Sequence, residues 1–142
     1  MEIQEVKNYY DENCQKEWER LDRHPFEFIF TTYMMDKYIH DGDKVLDIGG
    51  GPGRYSIYYA LKNCDVTLVD LSKGNIDLAR QKAKENHVSF PMIVGNCLDI
   101  DTMDIGTYDH VFLMGPLYHL VDENERKKAV KLAMDRLKPG GF

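Results

Sequence analysis

The chain has 142 residues, 43% of them hydrophobic and 30% charged, with a formal net charge of −6. That is the length of one domain with enough apolar residues for a core, and the acid excess argues against a general binder of nucleic acid or anionic membrane, which wants a basic face. No apolar run approaches the ~18 residues of a membrane span, the polar start "MEIQEVKNYYDEN" has no secretory core, and Cys14, Cys64 and Cys97 form no Cys-x-x-Cys pair, so no metal or disulfide framework is expected and a cytoplasmic setting is the simplest reading.

Taken in chain order, Ile3, Val6, Tyr10, Cys14, Trp18 and Leu21 recur every three or four residues, which predicts an amphipathic helix. His24-Pro25 interrupts it, and a second helix is expected over residues 26–39, ended by Asp41-Gly42-Asp43. The pattern then changes. "KVLDIG" reads as a buried strand, residues 54–62 as a helix, "DVTLVD" as a strand and residues 73–86 as a helix with Ser72 as N-cap. "VSFPMIVG" reads as a third strand, placed at an edge by Pro91, and "HVFLMG" as a fourth, with His110 structural. Asp122 and Glu125 mark the start of a last helix to about Leu137, and "KPGG" stops it. The order β-α-β-α-β-β-α predicts an α/β fold, a doubly wound, mainly parallel sheet with helices on both faces, preceded by N-terminal helices. Residues 1–40 read as a helical cap and residues 41–142 as the core. Such sheets bind ligands at the carboxyl ends of their strands, where strand order reverses.

The run "VLDIGGGPGRYS" falls at such an end. Gly49, Gly51 and Gly53 between a strand and a helix suit a tight turn that brings backbone close to a ligand. The spacing fails the dinucleotide fingerprint, because the third glycine would fall at Arg54 or Ser56. Asp47 would also repel a pyrophosphate at this helix N-terminus and attract a cationic head instead. Asp70 ends the second strand 21 residues after Gly49, the spacing at which a carboxylate receives two ribose hydroxyls. Leu71 follows and could pack on an adenine face. In "GNCLD", Asn96 and the backbone amides of Cys97 and Leu98 offer the donors and acceptors that an adenine edge requires.

Together these segments resemble the class I S-adenosylmethionine-dependent methyltransferases, over roughly residues 43–142. "VLDIGGGPGR" is similar to the family's Asp/Glu-x-Gly-x-Gly-x-Gly loop, "VGNCLDID" to its adenine-side loop, "YDHVFLMGPLYHL" to its fourth strand and the loop beyond, and "LKPGG" to the turn before its fifth strand. The resemblance implies a Rossmann-like fold with S-adenosyl-L-methionine as cofactor. By position, Asp47 and Gly49 would hold its amino-acid part, Gly51 and Gly53 would shape the loop, and Asp70 would take the ribose. Leu71, Asn96, Cys97 and Leu98 would surround the adenine, and Met114 would line the methionine side. Asn96 departs from the family's usual Asp but can still receive an adenine amino group. The family's sheet has seven strands, and the sequence ends at "KPGGF", before the last three. The fourth strand is then expected to expose an edge: either the sequence is truncated, or it covers that edge by self-association into a homo-oligomer.

The implied activity is methyl transfer to a small-molecule acceptor, with no nucleic-acid or membrane partner. Tyr118 and His119 are the candidate catalytic residues, set against an equal reading as loop packing. No Asn/Asp-Pro-Pro-Tyr motif for amino-group targets follows the fourth strand; "MGPL" stands there. Tyr9, Tyr10, Trp18 and Arg20 could reach cofactor or substrate from the N-terminal helices, and Arg20 or Arg54 could pair with the cofactor carboxylate. Two alternatives remain open: a catalytically inactive cofactor-binding module, and an NAD(P)-dependent oxidoreductase, against which the failed fingerprint counts.

Overall fold

The computed structural model describes residues 2–142. Helices α1 (Ile3–Arg23) and α2 (Pro25–Met35) come first. Strand β1 (Lys44–Ile48), helix α3 (Arg54–Leu61), β2 (Asp65–Asp70), α4 (Lys73–Glu85) and β3 (Met92–Val94) follow. Then come a 3-10 helix at Cys97–Thr102, β4 (His110–Phe112), a 3-10 turn at Pro116–Tyr118 and α5 (Glu123–Met134). The four strands lie parallel in the order β3-β2-β1-β4. The chain therefore runs outward from β1 to β3, then crosses to the other side of β1 for β4. That reversal puts a crevice beyond the carboxyl ends of β1 and β4.

Both sheet faces are covered, as a parallel sheet requires. Leu46, Ile48 and Val69 pack with Ile100, Tyr108 and Ala133 on the side of α5. Val45 and Val66 pack with Tyr59 and Phe112, and Leu68 packs with Ile76 and Ala79, on the side of α3 and α4. Alternation along β1 sends Val45 and Asp47 to the α3/α4 face and Leu46 and Ile48 to the other. Asp47 is thereby placed inside the core.

The caps read from the sequence form. Ser72 Oγ accepts from the Asn75 backbone N–H at 3.0 Å. Asp122 accepts from the N–H groups of Asn124 (2.7 Å) and Glu125 (3.2 Å). His110 is structural, with Nε2 2.8 Å from Asp43.

Several boundaries differ from the sequence reading. α2 ends at Met35 rather than residue 39, because the Tyr38 and Ile39 amides both turn back onto the Met35 carbonyl. The third strand is only Met92–Val94: the Val88 amide closes the end of α4 on Ala83, and Pro91 has no N–H, offering only its carbonyl, to Leu68, at 2.9 Å. α5 stops at Met134, not Leu137.

The expected bare edge on β4 is also corrected. The chain's own residues 136–142 run along it: the amides of Tyr108 and Lys138 exchange bonds with the carbonyls of Arg136 (2.7 Å) and Tyr108 (2.8 Å). Phe142 continues this, donating to Asp109 at 2.8 Å and accepting from Val111 at 3.2 Å. These bonds pair the edge groups from Tyr108 to the Val111 N–H within the chain, so the edge is covered in part.

Candidate functional site

A cavity of about 710 Å³ opens at the carboxyl ends of β1, β2 and β4. That is within the usual range for a small-molecule site. Its floor is the loop after β1. Gly49, Gly51 and Gly53 all have left-handed φ, at +70°, +59° and +83°. Gly49 is constrained twice over, because a Cβ there would also lie 2.4 Å from Pro116 Cγ in the loop beyond β4. Gly50, which the sequence reading passed over, needs the absence of a side chain for another reason. A Cβ on it would sit 2.4 Å from Asp47 Oδ2. Its signal was present in the run of three consecutive glycines. Gly53 forms the N-cap of α3 and is not on the cavity wall.

Asp47 lies beneath this loop, 1% exposed, and accepts from Ser56 Oγ at 2.8 Å. Burial pushes its carboxyl up to about 7, against the lowering effect of Ser56, with the Asp70 charge adding to the rise. Asp47 still borders the cavity. It therefore carries a full charge there only when something cationic, or a higher pH, favours ionisation.

Asp70 is 7% exposed and holds three donors: Gly51 N–H and Ser72 N–H, each at 3.0 Å, and Asn75 Nδ2 at 3.1 Å. Burial raises its carboxyl from the ordinary range and the three donors pull the other way. These bonds fix the carboxylate against the glycine loop, on the cavity wall.

Leu71, Asn96, Cys97 and Met114 also line the cavity. Asn96 Oδ1 is occupied by the Leu98 amide at 3.0 Å, where it caps the 3-10 helix. Leu98 is therefore corrected on two counts: its N–H is not free for a ligand, and it lies off the wall. Burial raises the Cys97 thiol, so it is a packing group rather than a thiolate. Met114 stands two residues beyond β4, on the rim.

α1 forms the roof, with Ile3, Val6, Tyr10, Glu17 and Arg20 facing in. Tyr9 and Trp18 do not reach the cavity. Trp18 instead packs against the Arg54 guanidinium at 4.7 Å and the Lys82 ammonium at 5.2 Å. Arg54 is also engaged by Asp22 at 3.0 Å, which removes it as a partner for a ligand carboxylate. Arg20 does face the cavity, held by Glu17 (3.0 Å) and Glu27 (2.6 Å). Asp11 docks the roof: its Oδ1 accepts from Ser72 Oγ at 2.6 Å and Gly74 N–H at 2.8 Å, which holds its carboxyl below the usual range. On the opposite rim Tyr10 Oη lies 2.7 Å from His119 Nε2. Tyr118 lies beside it, 88% exposed. The sequence reading named both ends of the Tyr10–His119 contact without joining them, since no local pattern connects residues 109 positions apart.

The family profile described as "Methyltransferase domain" matches residues 45–141. The chain belongs to this family of class I S-adenosylmethionine-dependent methyltransferases. This methyltransferase domain is 33% identical over 101 residues to a ubiquinone biosynthesis O-methyltransferase of Bordetella avium, covering 71% of this chain and 41% of that one. It is 28% identical over 102 residues to a Methanocaldococcus jannaschii protein named for ribosomal RNA large subunit methylation, covering 68% of this chain and 26% of that one. Among solved structures it is similar to a TehB-like SAM-dependent methyltransferase of Corynebacterium glutamicum, with a TM-score of 0.76 and 25% identity over 94% of this chain and 70% of that one. The methyltransferase domain spans less than half the length of the two curated relatives. S-adenosylmethionine is the cofactor of this family, and a loop of left-handed glycines beside a fixed, buried carboxylate suits such a nucleoside with an amino-acid tail.

Proposed function

We propose that the chain binds S-adenosylmethionine in this cavity and transfers its methyl group to a small-molecule acceptor. Residues 1–40 act as a cap over the mouth, and residues 41–142 form the binding core. Asp70 takes the ribose hydroxyls, and Asp47 with the Gly49 and Gly51 backbone takes the amino-acid end. Leu71, Asn96 and Cys97 flank the adenine, and Met114 lies toward the methionine side. When bound, the cofactor supplies a methyl group on a sulfonium, which leaves as a neutral thioether keeping the electrons of the broken bond. The protein's part is to orient the two reactants and exclude water.

The observation that carries the small-molecule reading is the charge of the cavity wall. Its one lysine or arginine side chain, among the described residues, is Arg20, which two glutamates already pair. A polyphosphate backbone would need free cations there. The apolar rim at Ile3, Met114 and Tyr118 suits a compact organic acceptor. The relative named for ribosomal RNA methylation makes RNA the reading to test against. Calorimetric titration with S-adenosylmethionine checks the first half: saturable one-to-one binding is expected, and tight NADH binding in its place would overturn it. Labelled cofactor offered with a small-molecule extract and, separately, with ribosomal RNA checks the second half. Label passing to the RNA alone would replace the small-molecule reading.

A further inference from the structure

Tyr10 and His119 are brought together across the mouth from opposite ends of the chain. Tyr10 projects from the roof helix α1 and His119 from the turn after β4. Their polar atoms are 2.7 Å apart, and the rings meet edge to face with centroids 5.4 Å apart. Both line the cavity. A contact needed only to hold α1 down would be redundant, because Asp11, the next residue, already anchors the helix to Ser72 and Gly74.

We propose that Tyr10 and His119 form the proton outlet of the methyl-transfer site, and that the acceptor is accordingly a hydroxyl compound with an apolar body. This rests on the function proposed above and names its substrate class. Three observations converge on it. First, a neutral hydroxyl is a poor nucleophile until its proton is removed, so a hydroxyl acceptor needs a base within hydrogen-bond reach. Second, the carboxylates on the wall are committed elsewhere. Asp70 holds three donors and is assigned to the ribose, Asp47 lies under the loop on Ser56, and Glu17 and Glu27 hold Arg20. Among the described residues, the imidazole of His119 is the remaining side chain on the wall with a nitrogen lone pair that can accept a proton. Third, the lining carries exposed apolar surface, at Ile3, Met114 and the Tyr118 ring.

The proton steps balance. The acceptor's hydroxyl donates to Tyr10 Oη as Tyr10 donates its own proton to His119 Nε2. The acceptor oxygen keeps the electron pair of its O–H bond and uses it for the new bond to the methyl carbon. The imidazolium then releases the proton to solvent. Tyr10 passes the proton on rather than storing a charge, since burial, then the nearby Glu17 and Asp70 charges, push its hydroxyl up to about 12. The charged and titratable groups facing Tyr10 are Tyr9, Glu17 and Arg20 from α1, Asp70 from β2 and His119 from the turn after β4.

The test uses 4-nitrophenol, whose absorbance reports its ionisation, added to the protein loaded with S-adenosylhomocysteine. On the unmodified chain the ionisation midpoint of the bound probe is expected to fall by about one pH unit, a tenfold change in its ionisation constant. In Tyr10→Phe and in His119→Gln the shift is expected to vanish. The His119 imidazole NMR signals should report protonation as the probe binds, which keeps the test open if a variant fails to fold. A shift that persists in both variants, imidazole signals that stay unchanged, or a probe that does not bind while S-adenosylhomocysteine does would each overturn the outlet. Failure of S-adenosylhomocysteine itself to bind would overturn the cofactor reading instead.

Discussion

The Asp47 carboxyl lies buried beneath the glycine loop at the cavity border, with Ser56 Oγ as its side-chain donor at 2.8 Å. Its carboxyl is raised to about 7, chiefly by burial. The folded protein therefore holds a proton that the unfolded chain releases near its ordinary value of 3.8. The stability this group contributes is full below the unfolded value and is lost as pH rises through the folded one. Between those limits the loss approaches about 1.4 kcal/mol per pH unit. Asp47→Asn should flatten that part of the curve and be the more stable form at pH 8, as chemical unfolding at several pH values would read. Wild-type and Asp47→Asn curves that run parallel over this range would refute the buried, protonated carboxyl.

The same residue predicts proton release on binding. A cofactor with an ammonium favours ionised Asp47, so titration with S-adenosylmethionine near pH 7 should liberate protons. Calorimetry in buffers of different ionisation enthalpy measures this directly. Asp47→Asn should abolish the release, and an equal release from the variant would assign it elsewhere.

Asp70 organises its surroundings as well as facing the cavity. Asp70→Ala removes the acceptor shared by Gly51, Ser72 and Asn75 and leaves those donors unpaired. Cofactor affinity should fall by about 1.5–3 kcal/mol, the range for hydrogen bonds to a charged group. Unchanged affinity in a folded variant would remove Asp70 from the site.

Two glycines separate strain from collision. Gly49 and Gly106 both have left-handed φ, +70° and +76°. A Cβ at Gly49 meets Pro116 at 2.4 Å, whereas one at Gly106 meets nothing within 4 Å. Gly106→Ala should cost about 1 kcal/mol of backbone strain, and Gly49→Ala distinctly more, with loss of cofactor binding. Thermal unfolding of the two variants side by side checks the order.

Asp11 acts across elements. Its carboxylate caps the start of α4 from α1, so Asp11→Ala should cost about 1–2 kcal/mol, as for a lost N-cap. Because the carboxyl is held low, the stability it gives is present above its unfolded value and disappears as pH falls through the folded one. A variant that matches wild type at pH 7 would show that the contact is dispensable.

The sequence by itself determined what local chemistry controls. The alternation of strand and helix, the caps at Ser72 and Asp122, the edge position signalled by Pro91, and the glycine loop between β1 and α3 all follow from residue type and spacing over a few positions. So does the family, because its loop and the acid ending β2 lie within one βαβ unit. Only the tertiary structure decided which groups meet across long stretches of chain and how deeply each is buried. It occupied Arg54 with Trp18 and Asp22, covered part of the β4 edge with residues 136–142, buried Asp47 and paired Tyr10 with His119. Short-range patterns fix backbone torsions and helix ends. A carboxyl's protonation and a side chain's partner depend on desolvation and on neighbours that only folding brings within a few ångströms.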